Sequence, residues 1–214
     1  MVGKILKTTE FNDKILNIEF MNLKKLNAIS RDMLIELDDL FSKKKYIKKF
    51  LLITFQGHNN GPFSSGADLS DISSFKEVDQ LKDYQKKLNK VLNNLKSIDI
   101  PTISLINSYC YGAGLLIALH TDITIANFNA EFSIPAVKLG INIPKTQLNH
   151  IYAKNINNFF LKDILITGRK FKAEEAYNAK MLSHVIKKNF QKECKKYISQ
   201  ILPHKSSILN YYSN

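Results

Sequence analysis

The sequence lacks tryptophan and contains few cysteine, proline, glycine or arginine residues. Its two cysteines, Cys110 and Cys194, are too few for the disulfide framework of a small secreted domain and suit a reducing compartment. No apolar run approaches the ~20 residues that a membrane-spanning helix requires. The first residues lack the apolar stretch of a signal peptide, and the last ones form no retention or peroxisomal signal. We therefore expect a cytoplasmic protein.

Acidic residues are also scarce, because 31 Lys and Arg residues stand against 19 Asp and Glu residues, for a formal net charge of +12. Such a balance is common in proteins that bind nucleic acid or anionic membranes. However, Arg31 and Arg169 are the only arginines in the sequence, and proteins that read nucleic acid depend on arginine for bidentate contacts. The lysines are scattered through segments rich in Asn and Ile. We therefore expect solvated lysine faces and neither a nucleic-acid nor a membrane partner.

Apolar residues make up 44% of the 214 residues, which is enough for one well-buried domain. A chain of this length buries about 70% of its unfolded surface, so it requires no disulfide or metal for stability. The alternating segment KILNIEF (14–20) predicts a half-buried strand, whereas LLITF (51–55) and TISLI (102–106) predict strands that are buried on both faces. Helical patterns follow these strands. The order predicts an α/β fold with parallel βαβ units.

Helical periodicity accounts for most of the remaining chain. Residues 77–96 place leucine, tyrosine and valine on one face and lysine on the other. Further helices are predicted after Ser30 and at 145–153, 157–166, 173–181 and 189–201, and the last ten residues look like the start of one more.

Two turns built from small residues each follow a predicted buried strand. The first is FSSGADL at 63–69, and the second is YCYGAG at 109–114, which leads into an apolar helix. Backbone N–H groups at such turns are unpaired, and small side chains allow a ligand oxygen to approach them closely. Two such donors aimed at one point would stabilise an oxyanion. Taken singly, each turn is more typical of an ordinary tight turn in an α/β domain.

Together with their flanks, these turns resemble the crotonase (enoyl-CoA hydratase/isomerase) superfamily, most closely a bacterial enoyl-CoA hydratase-like subgroup. The resemblance is carried by the segments FSSGADLSDI, PTISLINSYCYGAGLLIALHTDITIA, AEFSIPAVKLGI and TGRKFKAEEAYNAKMLSHVI, and it covers roughly residues 10 to 205. It implies a ββα spiral core surrounded by helices. Residues 1–190 would form this core domain, and 191–214 the start of a shortened C-terminal helical region.

The resemblance also implies a site. The backbone N–H groups of Ala67 and Ala113 match the two donors that hold a thioester carbonyl in the family. The CoA path would run along Lys24, Leu26, Ala28, Ser65 and Leu69, with Lys24 or Lys25 near a CoA phosphate. The family needs no cofactor beyond the CoA moiety of its substrate and no metal. Its members commonly pack as trimers or hexamers, so we expect a homotrimer or hexamer.

The family's acid and base residues do not carry over to this sequence. Leu116, Ala136 and Pro144 occupy the positions where hydratases or isomerases of the family have a glutamate. None of these three side chains can transfer a proton, and a general acid or base contributes roughly 10²–10⁴-fold to a rate. The expected function is therefore an acyl-CoA enzyme that stabilises a thioester enolate, with the hydratase activity first. An isomerase or another enolate-type lyase, or a catalytically silent acyl-CoA-binding protein, remains an alternative.

Other polar residues near these segments have plainer interpretations. We expect Tyr111 to pack against its neighbours, Glu131 to face solvent from a strand, and Asp68 to cap a helical turn. His120 and Asp122 flank a helix-to-strand turn, where a structural hydrogen bond is expected. The histidines show no spacing typical of metal ligands.

Overall fold

The main chain of this protein forms nine strands within the residues that the computed structural model describes, namely 6–11, 14–72, 78–204, 207, 211 and 212. The strands are β1 (Leu6–Phe11), β2 (Ile15–Phe20), β3 (Leu52–Gly57), β4 (Thr102–Ile106), β5 (Tyr109–Tyr111), β6 (Ile123–Asn127), β7 (Glu131–Ser133), β8 (Lys170–Lys172) and β9 (His184–Ile186).

The same residues form eight α-helices. These are α1 (Arg31–Ser42), α2 (Lys44–Ile47), α3 (Val78–Lys96), α4 (Gly112–His120), α5 (Lys145–Ala153), α6 (Asn158–Thr167), α7 (Ala173–Asn178) and α8 (Phe190–Ile201). The Ser30 hydroxyl accepts a hydrogen bond from Met33 N–H at 3.1 Å, so it caps α1 as the sequence predicts.

The larger sheet has the strand order β1-β2-β3-β4-β6-β9. Strand β1 is antiparallel to β2, and every other pair in this sheet is parallel. Parallel neighbours require crossover connections, and α1, α3 and α4 lie between successive strands of this sheet. The predicted α/β class with parallel βαβ units is confirmed.

Both faces of the larger sheet are covered, which explains the continuous apolar runs in its strands. In β3, Ile53 and Phe55 belong to a large core that includes the inner faces of α1, α3 and α4. Leu52, on the opposite face, packs in a second cluster with Phe190 and Cys194 of α8. A strand buried on both sides has no polar face to alternate with, so LLITF and TISLI read as uninterrupted apolar segments.

A smaller sheet of order β5-β7-β8 stands beside the larger one and positions the start of α4. Strand β5 pairs in parallel with β7 and leads directly into α4 at Gly112. Strand β5 lies at the edge of this sheet, and its pairing with β7 holds the residues that immediately precede the first turn of α4.

The helix predictions agree with the structure within a few residues. The helix predicted at 173–181 ends earlier, at Asn178, and the chain turns through Ala179 and Lys180, of which Lys180 has φ +60°. The helix expected in the last ten residues lies almost wholly outside the described residues. None of the helices in the described part of the chain combines the length and apolar content needed to cross a membrane.

Candidate functional site

The two small-residue turns meet in the structure. Ser64, in the loop after β3, donates its N–H to the Tyr109 carbonyl at 3.2 Å and accepts from Tyr111 N–H at 2.9 Å. These two bonds make a parallel bridge between Ser64 and Cys110. The loop after β3 is therefore paired through one bridge with β5, which ends at Tyr111, immediately before α4 begins.

The Ala67 N–H points away from its own pairing partner. Ile29 donates to the Gly66 carbonyl at 2.7 Å and accepts from Asp68 N–H at 2.9 Å, so the residue between them, Ala67, turns its N–H to the other side. That side faces the start of α4, because a Cβ atom built on Gly112 would lie 4.0 Å from Ala67 N.

The Ala113 N–H lies in the first turn of α4. The first four N–H groups of a helix have no acceptor within the helix, and they carry the positive end of its dipole. The residue just before α4 is Tyr111, and its side chain makes no capping hydrogen bond to the N–H groups of the first turn. Gly112 has φ +46°, a conformation that suits glycine, and a Cβ atom built on it would lie 3.4 Å from Gly66 Cα in the Ala67 loop. Both predicted donors thus border the same space.

A cavity of about 120 Å³ opens at this point, and Ala67 and Ala113 both line it. Its walls are mostly hydrocarbon from the turn after Asp68, from α3 and from the segment before α5, namely Leu69, Leu81, Leu88, Leu139, Ile141 and Ile143. A mostly apolar concave site with a few convergent polar groups is typical of a small-molecule binding site.

The three positions where the resemblance implies a glutamate hold apolar residues. Leu116 and Ala136 line the cavity, and Pro144 immediately precedes α5. Among the described residues that line the cavity, none is Asp, Glu, His, Lys, Arg or Cys. Tyr84 is titratable, but its hydroxyl is buried and donates to the Ile29 carbonyl at 2.9 Å. Within the described lining, the cavity is therefore bordered by the backbone of Ala67 and Ala113 and has no carboxylate.

The residues predicted for the CoA path divide into two groups. Ser65 and Leu69 line the cavity. Lys24 and Leu26 lie exposed in the turn before Ile29, outside the cavity lining, and Ala28 is buried beneath that turn. Backbone bonds tie this turn to the site, since Ser65 N–H donates to the Leu26 carbonyl at 3.0 Å.

Asp68 fastens the same turn to the loop that carries Ala67. Its carboxylate accepts from Lys25 Nζ at 2.8 Å and from Ser70 N–H at 3.1 Å. Burial by itself would raise the pKa of Asp68, but the hydrogen bonds from Lys25 and Ser70 outweigh burial and lower it. Asp68 caps the helical turn Leu69–Ile72 as predicted, while Lys25 is engaged by this carboxylate.

The expectation that Glu131 faces solvent is wrong. Its side chain is 15% exposed, and it accepts from the Tyr111 hydroxyl and from Lys170 and Lys172. These hydrogen bonds, first among them that from Tyr111, lower the pKa of Glu131 to about 2. Burial and the bond to Glu131 raise the pKa of Tyr111 to about 12. Tyr111 is therefore a packing residue bound to the neighbouring strands, as the sequence suggests, and it stays protonated near neutral pH.

Three cavity residues were missed by the sequence reasoning. Tyr84 and Gln85 of α3 and Gln147 of α5 line the cavity opposite the two loops. The helical periodicity predicted the apolar face of α3, to which Tyr84 belongs. It did not indicate that this face forms one wall of the cavity. Within the described residues, no group of three or more His, Cys, Asp or Glu side chains could hold a metal ion.

Comparisons with a family profile and with individual proteins point to the same family. A family profile described as "Enoyl-CoA hydratase/isomerase" matches residues 10–211. A short-chain-enoyl-CoA hydratase of Clostridium acetobutylicum is 28% identical over 177 residues, which are 83% of this chain and 67% of that protein. An enoyl-CoA isomerase/hydratase of Zymoseptoria tritici is 31% identical over 156 residues, 71% of this chain and 50% of that protein.

Solved structures repeat the fold. The crystal structure of an enoyl-CoA hydratase/carnithine racemase from Magnetospirillum magneticum superposes with a TM-score of 0.89 at 19% identity, and it covers 98% of this chain and 79% of that one. At that identity the likeness concerns the fold. The chain spans 67% of the Clostridium hydratase but about half of several other curated relatives, such as 51% of mouse methylglutaconyl-CoA hydratase.

Proposed function

Because this chain belongs to the enoyl-CoA hydratase/isomerase family, we propose that it binds an acyl-CoA thioester with the carbonyl oxygen between the N–H groups of Ala67 and Ala113. The observation that carries this proposal is the meeting of two loops, remote in sequence, at one cavity that Ala67 and Ala113 both line.

The chemistry suited to these donors is stabilisation of negative charge on the thioester oxygen. When the carbon next to a thioester carbonyl loses a proton, the charge moves to the carbonyl oxygen as an enolate. Donors that are already in place need no reorganisation as this charge develops, and removing one such donor typically lowers a rate by roughly 10²–10³-fold. The dipole of α4 adds to the stabilisation at Ala113.

The apolar walls suit the acyl part of the ligand. Leu81 and Leu88 from α3 and Ile143 near α5 would surround a hydrocarbon chain. Ser65 and Leu69 border the same cavity, and we propose that the pantetheine arm leaves past them, toward the turn that holds Lys24, Leu26 and Ala28. Lys24 is exposed there and suits contact with a CoA phosphate.

Within this scaffold we propose an enolate-forming enzyme, with enoyl-CoA hydration first and isomerisation or another lyase reaction next. The lining of the cavity also favours a second candidate, a catalytically silent acyl-CoA-binding protein. Leu116 and Ala136 supply no proton-transfer group, and a missing acid or base is worth roughly 10²–10⁴-fold. The two candidates share the binding mode and differ in turnover.

Binding of butyryl-CoA by titration calorimetry tests the shared part. We expect Ala113→Pro, which removes one donor, to weaken binding by about tenfold, the value of one hydrogen bond of about 1.4 kcal/mol. Proline is tolerated in the first turn of a helix, and Ala113→Ser retains the N–H as a matched control. Lack of any butyryl-CoA binding by the unmodified chain would sink the proposal.

Turnover separates the two candidates. Exchange of the α-hydrogens of bound butyryl-CoA in deuterated water reports enolate formation, and loss of the conjugated-thioester absorbance of crotonyl-CoA reports hydration. An enzyme exceeds the solvent rate in the first assay, and Ala113→Pro lowers that rate by roughly 10²–10³-fold. Binding without exchange or hydration would leave the silent acyl-CoA-binding protein.

A further inference from the structure

The backbone of Ile29 links the Ala67 loop to α3. Ile29 N–H donates to the Gly66 carbonyl at 2.7 Å, and the Ile29 carbonyl accepts from Asp68 N–H at 2.9 Å. These two bonds form the bridge between Ile29 and Ala67. The same carbonyl accepts a second hydrogen bond, from the Tyr84 hydroxyl of α3 at 2.9 Å. A carbonyl oxygen has two lone pairs, so it can accept both bonds at once.

Tyr84 is buried, and it lines the cavity together with Leu81 and Leu88 of the same helix. These two leucines supply only hydrocarbon to the wall. A buried hydroxyl needs a partner, whereas phenylalanine would supply the same ring without that requirement. The structural effect of the phenolic oxygen is therefore to be found at Ile29, the backbone group to which it donates.

The Ile29 bridge determines the direction of the Ala67 N–H. The Gly66 carbonyl and the Ala67 N–H belong to one peptide unit, which is planar and trans, so they point in opposite directions. Because Ile29 N–H binds that carbonyl, it also orients the Ala67 N–H on the other side. The next peptide unit carries the Asp68 N–H, which binds the Ile29 carbonyl. Ile29 therefore fixes both peptide units of Ala67, and Tyr84 connects Ile29 to α3.

We propose that Tyr84 is a positioning residue, whose hydroxyl holds the Ile29 bridge in place so that the Ala67 N–H points at the thioester carbonyl. This inference rests on the proposed binding of acyl-CoA. The hydroxyl acts through the backbone and not on the ligand. A hydrogen bond weakens as its angle departs from linearity. Groups in such sites must be held to within about 0.5 Å and about 10–20° of their working geometry.

Tyr84→Phe tests the role of the hydroxyl alone. The variant keeps the ring, and the Ile29 carbonyl keeps its bond from Asp68 N–H, so no buried backbone group is left without a partner. We therefore expect the variant to fold. With one of its two bonds lost, the Ile29 carbonyl is held less firmly, and the hydrogen bond from Ala67 to the ligand should weaken.

The vibrational frequency of the ligand carbonyl measures that hydrogen bond directly. Butyryl-CoA with an isotope label at the thioester carbonyl is bound to the protein, and infrared difference spectra give its stretching frequency. Hydrogen bonds lower this frequency, so in the unmodified chain we expect a value below that of free butyryl-CoA. In Tyr84→Phe we expect about half of this lowering to be lost, while the affinity measured by calorimetry changes by less than about threefold.

Val91→Ala is the matched control. Val91 is buried in the same helix, α3, but lies outside the described lining of the cavity. Its truncation loosens the packing of α3 and leaves the bond between Tyr84 and Ile29 intact. We expect the bound carbonyl to keep the frequency that it has in the unmodified chain.

The possible results distinguish the role of Tyr84 from the function of the site. An unchanged carbonyl frequency in Tyr84→Phe, or an equal change in Val91→Ala, would overturn the positioning role while the site keeps its proposed function. Failure of butyryl-CoA to bind the unmodified chain, or a bound carbonyl with the frequency of the free thioester, would overturn the proposed function itself.

Discussion

At Leu116 the wall of the cavity is a hydrocarbon one helical turn after Ala113, and the side chain is 3% exposed. If the missing carboxylate is what limits hydration, placing one here should restore it. We expect Leu116→Glu to raise crotonyl-CoA hydration by roughly 10²-fold or more, within the range for a general acid or base. The rate is measured by the loss of conjugated-thioester absorbance.

The matched control for this substitution is Leu116→Gln. It has nearly the same shape as the glutamate and cannot transfer a proton, so it should stay at the rate of the unmodified chain. Burial raises the pKa of an introduced carboxyl, which predicts a pH optimum that shifts upward with that pKa. Equal rates for the Glu and Gln variants would contradict the acid-base explanation of Leu116.

Asp68 is a second residue whose removal is informative. Its side chain is 6% exposed and its pair with Lys25 joins the Leu23–Lys25 turn to the Ala67 loop, so Asp68→Asn should lower the free energy of unfolding by about 1–3 kcal/mol. The pair Asp39–Lys43 is also short, at 2.6 Å, but its side chains are 64% and 56% exposed. Asp39→Asn should therefore cost at most about 0.5 kcal/mol. Urea denaturation of the two variants measures these changes. Equal losses in the free energy of unfolding would show that Asp68 does not stabilise the contact between the Leu23–Lys25 turn and the Ala67 loop.

Among the elements, α4 depends on the absence of a side chain at Gly114. A Cβ atom there would lie 2.3 Å from Ser64 Cβ and 2.7 Å from its Oγ, too close for any real contact. Alanine normally stabilises a helix relative to glycine by about 1 kcal/mol. A loss of stability in Gly114→Ala would therefore report the collision, and the displaced Ala113 N–H should weaken thioester binding as well.

A double substitution identifies that collision as the cause. Ser64→Gly removes both close atoms, and the nearest remaining one, Ser64 Cα, is at an ordinary 3.6 Å. Ser64→Gly combined with Gly114→Ala should be more stable than the sum of the single effects predicts, which chemical denaturation measures. Simple additivity of the two changes would contradict close packing of α4 on this loop.

The strands and helices were largely predictable because the sheet is covered on both sides. Leu52, Ile53 and Phe55 are all buried, so their segment is one continuous apolar run, and such a run predicts an inner strand. The two small-residue loops at 63–69 and 109–114 were also predictable as turns, since they are rich in glycine, serine and alanine. Their meeting across the Ser64–Cys110 bridge follows from the resemblance and not from local pattern.

What the sequence could not supply are contacts between distant segments. Gln147 and Gln85 touch through a backbone carbonyl although 62 positions separate them, and no periodicity links the two. Glu131 was expected to face solvent from its strand. That face is covered locally by Lys170 and Lys172 of β8, a short strand nearly 40 residues further along the chain whose pairing with β7 no local signal reveals.

For the whole molecule, the net charge of +12 makes the burial of further positive charge costly, and one cluster brings three basic side chains together. The rings of His120 and His150 lie 5.0 Å apart, and Lys154 Nζ donates to the Thr121 carbonyl beside them at 2.6 Å. Burial, with the charges of His150 and Lys154, lowers the pKa of His120 to about 4, against a bond to the Leu116 carbonyl that raises it. Burial and the charge of Lys154 also lower the pKa of His150.

These lowered pKa values set the direction of the molecule's response to acid. Between an unfolded pKa near 6.5 and the folded value near 4, the unfolded chain binds a proton at His120 that the folded chain does not, so stability is full above pH 6.5 and falls as the pH drops. A shift of this size corresponds to about 3 kcal/mol.

We expect the free energy of unfolding to decline from pH 7 to pH 4. His120→Gln keeps a donor for the Leu116 carbonyl but cannot titrate, and should flatten that decline. Parallel pH profiles of the two proteins would place the acid sensitivity elsewhere.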